Sequence, residues 1–142
     1  MADRTANIVW TGALLDGGGT IESVGSGAFG PLDVTWTSRA EESEGRTSPE
    51  ELIAAAHAAC FSMALSHGLA QAGTPAERLE TSATVTFVPG TGITRVALVV
   101  RGSVPGLDEA AFLEQAEAAR DGCPVSKALA GVPEITLDAA LR

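Results

Sequence analysis

At 142 residues the chain has the length of one domain, enough to bury roughly two thirds of its unfolded surface in a single core. A formal net charge of -9, with Lys127 the only lysine, excludes unaided binding to nucleic acid or to an anionic membrane surface, since both need clustered lysine and arginine. The 45% hydrophobic content excludes disorder, and 16 glycines and 7 prolines between short apolar runs predict strands, turns and a few helices.

No apolar run reaches the roughly 18 to 20 residues that cross a bilayer, and "MADRTANIVW" lacks the basic and apolar regions of a secretory signal. The expected address is the cytoplasm. Two cysteines in a cytosolic chain are ordinarily reduced, so free thiols or a transient redox pair are expected before a permanent staple.

Residues 5 to 38 alternate apolar and polar side chains in "ANIVWTGALL", "GTIESVGSG" and "LDVTWTS", with "DGGG" as the tight turn, and predict a small antiparallel meander. The polar "RAEESEGRT" that follows reads as an exposed loop. At "TSPEEL" the start signals of a helix coincide: Ser48 as N-cap, Pro49 at the first helical position, and Glu51 three residues on to close a capping box. The helix should run from Pro49 to about Ala72, with Gly73 and Pro75 ending it. Such a rod is about 35 Å long. Apolar on every side, it requires burial along its middle, and a second copy of the chain is expected to supply part of the cover.

"LETSATVTFVPG" and "GITRVALVVRGSVPG" predict a β-hairpin. A second helix follows Gly106, capped by Asp108, with Glu109, Glu114 and Glu117 toward water and Phe112, Leu113 and Ala116 inward. A short helix "PVSKAL" and a strand "EITLDAAL" close the chain. No repeat or domain linker is evident. The order βββ-α-ββ-α-α-β predicts a single α+β domain over residues 1–142, with antiparallel sheet around a hydrophobic central helix.

Cys60 lies three turns into the long helix, too far from its N-terminus for the helix dipole to lower the thiol pKa much. Apolar burial alone raises that pKa, so a reactive Cys60 needs positive charge from elsewhere, with an arginine as the obvious donor; otherwise Cys60 is packing. Cys123, in "DGCPVSKAL", precedes a helix-starting proline and reads as an N-cap, where backbone N–H groups favour a thiolate; a buried, inert cap is the alternative. Two thiols in such different settings suit a peroxide-reacting sulfur and a resolving partner, if the fold brings them together. His57, three residues before Cys60, offers a Cys-His nucleophile, but no Asn or Asp is evident to orient the ring, and a core histidine explains it better. Cys60, His57, His67 and Cys123 match no usual zinc spacing. Glu50 is either a solvated carboxylate of the first turn or a bidentate partner for an arginine.

"TSPEELIAAAHAACFSMALS" and "DGCPVSKAL", together with the early "W-x-G" and the terminal "EITLDAAL", resemble the OsmC family, which is related to the organic hydroperoxide resistance proteins. The likeness extends over nearly the whole chain, and "HAACFSMAL" and "CPVS" resemble the OsmC branch. It implies a thiol-dependent peroxidase for organic hydroperoxides and, less efficiently, hydrogen peroxide, built as an intertwined homodimer with active sites at the subunit interface. By motif, Cys60 corresponds to the peroxidatic cysteine and Cys123 to the resolving one. Glu50 matches the carboxylate that orients an arginine, and Arg39 the arginine that stabilises the thiolate; Arg46, in an acidic loop longer than usual for the family, competes for that role. An external dithiol, of lipoyl type or another small dithiol, would restore the thiols, and no metal, haem or flavin is implied. Phe61, Met63 and Leu65 would line an apolar pocket favouring alkyl hydroperoxides. The competing reading is a non-enzymatic binding or stress protein of the same fold with inert buried thiols.

Overall fold

A computed structural model describes all residues, 1–142, and divides them into two compact units, Met1–Leu52 and Ile53–Arg142. In the first unit the alternating segments form strands β1 (Ala6–Thr11), β2 (Gly18–Val24) and β3 (Leu32–Val34), an antiparallel sheet in that order. The sheet is thinly covered. Every residue of β1 is exposed, and the buried apolar residues of the unit are Ile21 and Val34. Trp10 lies across Gly19, where a Cβ would come within 2.7 Å of the indole, so the absent side chain makes room for the ring.

β3 is shorter than the alternation suggests. Thr35 turns the chain into a one-turn helix, α1 (Trp36–Ala40), through a reciprocal cap: its Oγ1 accepts from Ser38 N at 3.0 Å, and its own N donates to Ser38 Oγ at 2.9 Å. Arg39 therefore stands in the last turn of a helix, not at the end of a strand. The acidic loop that follows is exposed and is tied at its far end. Thr47 N donates to the Asp33 carbonyl at 3.1 Å, and the Ser38 hydroxyl donates to the Thr47 carbonyl at 3.0 Å.

The long helix, α2 (Pro49–Gln71), begins in this unit. Ser48 Oγ accepts from Glu51 N at 3.2 Å as the N-cap, while the Glu51 carboxylate accepts from the Thr47 hydroxyl at 3.0 Å. The expected capping box is thus drawn one residue outward. Gly73, at φ +84, ends the helix in a left-handed conformation that costs glycine nothing. Contrary to the expectation that no segment is long and apolar enough to cross a bilayer, α2 as a whole has the length and apolar composition of a membrane span. Its Phe61, Leu65 and Leu69, four residues apart, are fully buried in the second unit.

In the second unit β4 (Arg78–Val88) and β5 (Gly92–Ser103) form the expected antiparallel hairpin, with a bulge at Thr86 and Phe87. Then come α3 (Glu109–Gly122), α4 (Pro124–Ala128) and β6 (Glu134–Leu141). β6 pairs with β5 in parallel, a departure from the all-antiparallel expectation. The physical reason is the crossover: two helices between the strands return the chain to the end from which β5 started. Phe61, Leu65 and Leu69 of α2 meet Leu98 and Val100 of β5 and Phe112, Ala116 and Ala119 of α3 in one core. Each fully buried Phe or Leu contributes about 1.5–3 kcal/mol. Leu113, expected inward, is exposed; one step past Phe112, it turns away from the face shared by Phe112, Ala116 and Ala119.

Candidate active site

Cys123 joins two helices. Its N–H closes α3 on the Ala119 carbonyl at 2.9 Å, and Pro124 starts α4 immediately after it, so the side chain is held at a bend and is fully buried. Cys60, in the middle of α2, is partly buried. Both are free thiols, and their sulfurs lie 2.8 Å apart across 63 residues of sequence. Helix packing, not local sequence, makes this pair: α2 and the α3–α4 junction are joined through the core.

The two sulfurs share a hydrogen bond but not an environment. Burial, and then the contact with Cys123, push the Cys60 thiol above the usual thiol range, against a weaker downward pull from the Val125 N–H. Burial also opposes ionisation of Cys123. There it is outweighed by the Cys60 thiol, the N–H groups of Ser126 and Val125 and the Ser126 hydroxyl, which together pull Cys123 down. Loss of the Cys60 proton therefore needs positive charge from outside the pair.

A second polar pair belongs to the first unit. Arg39 Nε donates to both Glu50 oxygens, at 3.0 and 3.2 Å, and Nη2 donates to Oε1 at 2.8 Å. This is the fork geometry that makes Arg–carboxylate pairs directional. Glu50 is buried and Arg39 about one-third exposed, 33% by side chain. Arg46 is instead paired with Glu44, at 3.4 Å on the surface.

His57 is fully buried, with Nε2 2.7 Å from Ser126 Oγ and Nδ1 without a partner. Burial lowers its pKa below the ordinary 6.5 and favours a neutral ring. Ser126 was not singled out from the sequence. The signal was present in "CPVS", because the third residue after a helix cap stacks beneath the cap.

Phe61 and Leu65 are wholly within the core, whereas Met63 is 71% exposed. The expected apolar pocket formed by these three is thus not present: Phe61 and Leu65, four residues apart, share the inward face, and Met63, two residues from each, points away from it. Met63 instead lines an open groove of about 600 Å³ with Ser62, Ser66 and His67 of α2 and Arg78 and Leu79 of β4.

An α+β chain with a long central helix that sets one free thiol against another defines a class of two-cysteine thiol proteins. The OsmC-like protein family model matches residues 41–138, which include all four candidate site residues but Arg39. The chain is 43% identical to the peroxiredoxin OsmC of Escherichia coli (strain K12), over 94% of this chain and 92% of that one. It is 34% identical to an organic hydroperoxide resistance protein of Xanthomonas axonopodis pv. citri, over 66% and 67% respectively. The crystal structure of an organic hydroperoxide resistance protein OsmC from Legionella pneumophila matches with a TM-score of 0.70 at 25% identity, over 96% of both chains. The chain belongs to the OsmC-like family.

Proposed function

We propose that the chain is a thiol peroxidase that reduces organic hydroperoxides to alcohols, and hydrogen peroxide less efficiently, with Cys60 as the peroxidatic and Cys123 as the resolving cysteine. The observation that carries this reading is the 2.8 Å approach of two free sulfurs from distant parts of the chain. The names of the relatives point the same way.

The Cys60 thiolate attacks the terminal peroxide oxygen. An S–O bond forms, the O–O bond breaks, and the alkoxide leaves as alcohol after taking a proton, so that sulfur gains the sulfenic acid. The Cys123 thiolate then attacks the Cys60 sulfur, forming the disulfide and releasing hydroxide that is protonated to water. An external dithiol, lipoyl-type or another small one, reduces the disulfide by exchange. Because burial pushes the Cys60 thiol up, its activation is assigned to Arg39, aimed by the bidentate grip of Glu50.

The same reading takes residues 1–142 as one OsmC-like domain working in the cytoplasm as a homodimer, with active sites at the interface. Exposed apolar side chains on both units, Ile8 and Trp10 in β1 and Met63 in α2, support a second copy as their cover. The test is thiol counting by mass spectrometry after one equivalent of organic hydroperoxide is added to the reduced protein. Loss of two thiols with a Cys60–Cys123 disulfide is expected, and Cys60→Ser should consume no peroxide. An unchanged thiol count refutes the reading.

A further inference from the structure

His57 is a buried polar side chain with one nitrogen bonded and the other orphaned. Buried polar atoms are nearly always partnered, and a bare N–H is rarer than a bare acceptor. The proton of the neutral ring therefore sits on Nε2, and the orphaned Nδ1 carries a lone pair. Nε2–H then donates to Ser126 Oγ across the 2.7 Å contact. With its oxygen occupied as acceptor, the Ser126 hydroxyl keeps its own hydrogen for another partner. Cys123 stands one turn earlier, at the head of the same short helix, so its sulfur and the Ser126 hydroxyl are neighbours on one helix face. Placed in this order, the three groups can act as a one-way series of donors running from the core to the sulfur: imidazole N–H, serine O–H, sulfur.

We propose that His57, acting through Ser126, is a positioning residue for the resolving step: it turns the Ser126 hydroxyl toward Cys123 and so holds that sulfur as the nucleophile that attacks oxidised Cys60. The proposal rests on the peroxidase reading above for the identity of the step, and on the buried His57–Ser126 contact for the geometry. The opposite tautomer would reverse the series. With the proton on Nδ1, the serine hydrogen would be drawn to Nε2, the sulfur would lose a donor, and an N–H would be left unpaired in the core. Burial favours the neutral ring, which the series requires. The other titratable groups near this junction are Cys60 on α2 and, on the adjoining helices, Arg120 paired with Asp121 at 3.0 Å, and Lys127.

The experiment reads Cys123 without the chemistry of Cys60. In a Cys60→Ser background Cys123 is the only thiol, and its ionisation is followed by thiolate absorbance and by its alkylation rate at pH 7. Ser126→Ala should move the titration to higher pH and slow alkylation about tenfold, the size expected for loss of a hydrogen bond to a charged group. His57→Leu should do the same. His57→Gln, whose amide N–H reaches about as far as Nε2, should restore most of the rate, which a purely structural histidine would not predict.

With both cysteines present, Ser126→Ala should slow conversion of the Cys60 sulfenic acid to the disulfide about tenfold, read in a single turnover after the sulfenic acid has formed. Titration and disulfide formation unaltered by Ser126→Ala would overturn the proposal, and so would a His57→Gln protein as slow as His57→Leu. If the parent protein leaves hydroperoxide untouched, the peroxidase reading fails on its own, and the titration in the Cys60→Ser background still decides whether the donor series acts on Cys123.

Discussion

The two three-stranded sheets start from similar alternating sequence and end in opposite states. In the second unit β5 presents Val96, Leu98 and Val100 to the interior at 0–1% exposure, beneath the helices α2 and α3. In the first unit β1 carries Ile8, Val9 and Trp10 with 40–57% of each exposed. Alternation makes a strand, but it does not supply the layer that covers it. A sheet with its own helices can hold two sulfurs in fixed register; a sheet without them holds a charge pair on a short capped helix and leaves apolar surface to be covered by something else.

The sharpest way to break this contrast is at the core of the covered sheet. Phe112→Ala, at a fully buried position, should cost about 3–5 kcal/mol of unfolding free energy in urea denaturation. The same sheet should resist added volume. A Cβ at Gly102 would stand 2.7 Å from the Phe112 ring, so Gly102→Ala should cost about 1–3 kcal/mol, and a thermal midpoint equal to the parent's would contradict the close packing described.

In the first unit the larger effect should be kinetic. Glu50→Gln weakens the fork that holds Arg39, and the rate of Cys60 oxidation by an alkyl hydroperoxide should fall about tenfold or more, corresponding to about 1.5 kcal/mol or more for a hydrogen bond to a charged group. Stopped-flow detection of the sulfenic acid checks it.

The buried imidazole of the second unit adds a pH signature. Because the folded His57 binds its proton less readily than the unfolded chain, its contribution is complete above the unfolded value of 6.5 and is lost as pH falls from there through the lower folded value. Stability measured between pH 7 and 5 should decline, and His57→Gln should flatten that decline. The smallest effect is expected on the uncovered strand: Ile8→Ser should change monomer folding by no more than about 0.5 kcal/mol while weakening self-association in sedimentation experiments.

Much of the fold was legible because it is written in local signals. The cap at Ser48, the stop at Gly73, the hairpin of β4 and β5 and the Asp108 cap of α3 each depend on a few neighbouring residues. The misses had two sources, local signals that read two ways and pairings between distant segments. α1 forms because Thr35 and Ser38 cap each other in a run that also reads as a strand, and β6 pairs in parallel because of where two helices deliver the chain. Leu113 was placed by a helical period that is correct on average but runs one step too wide.

What the sequence by itself determined are the separate ingredients of the site: a thiol deep in a long apolar helix, another at the head of a short one, a glutamate in the first turn of α2, and an arginine shortly before it. These follow from propensity and capping, which act over a few residues. Only the tertiary structure decided how the ingredients combine. It brings Cys123 within 2.8 Å of Cys60, gives the Glu50 carboxylate to Arg39 and sends Arg46 to Glu44. It also joins His57 to Ser126 across 69 residues, at 2.7 Å within the core. The physical reason is that ionisation and hydrogen bonding depend on distances of a few ångströms between groups far apart in sequence, and those distances exist only once the core is closed.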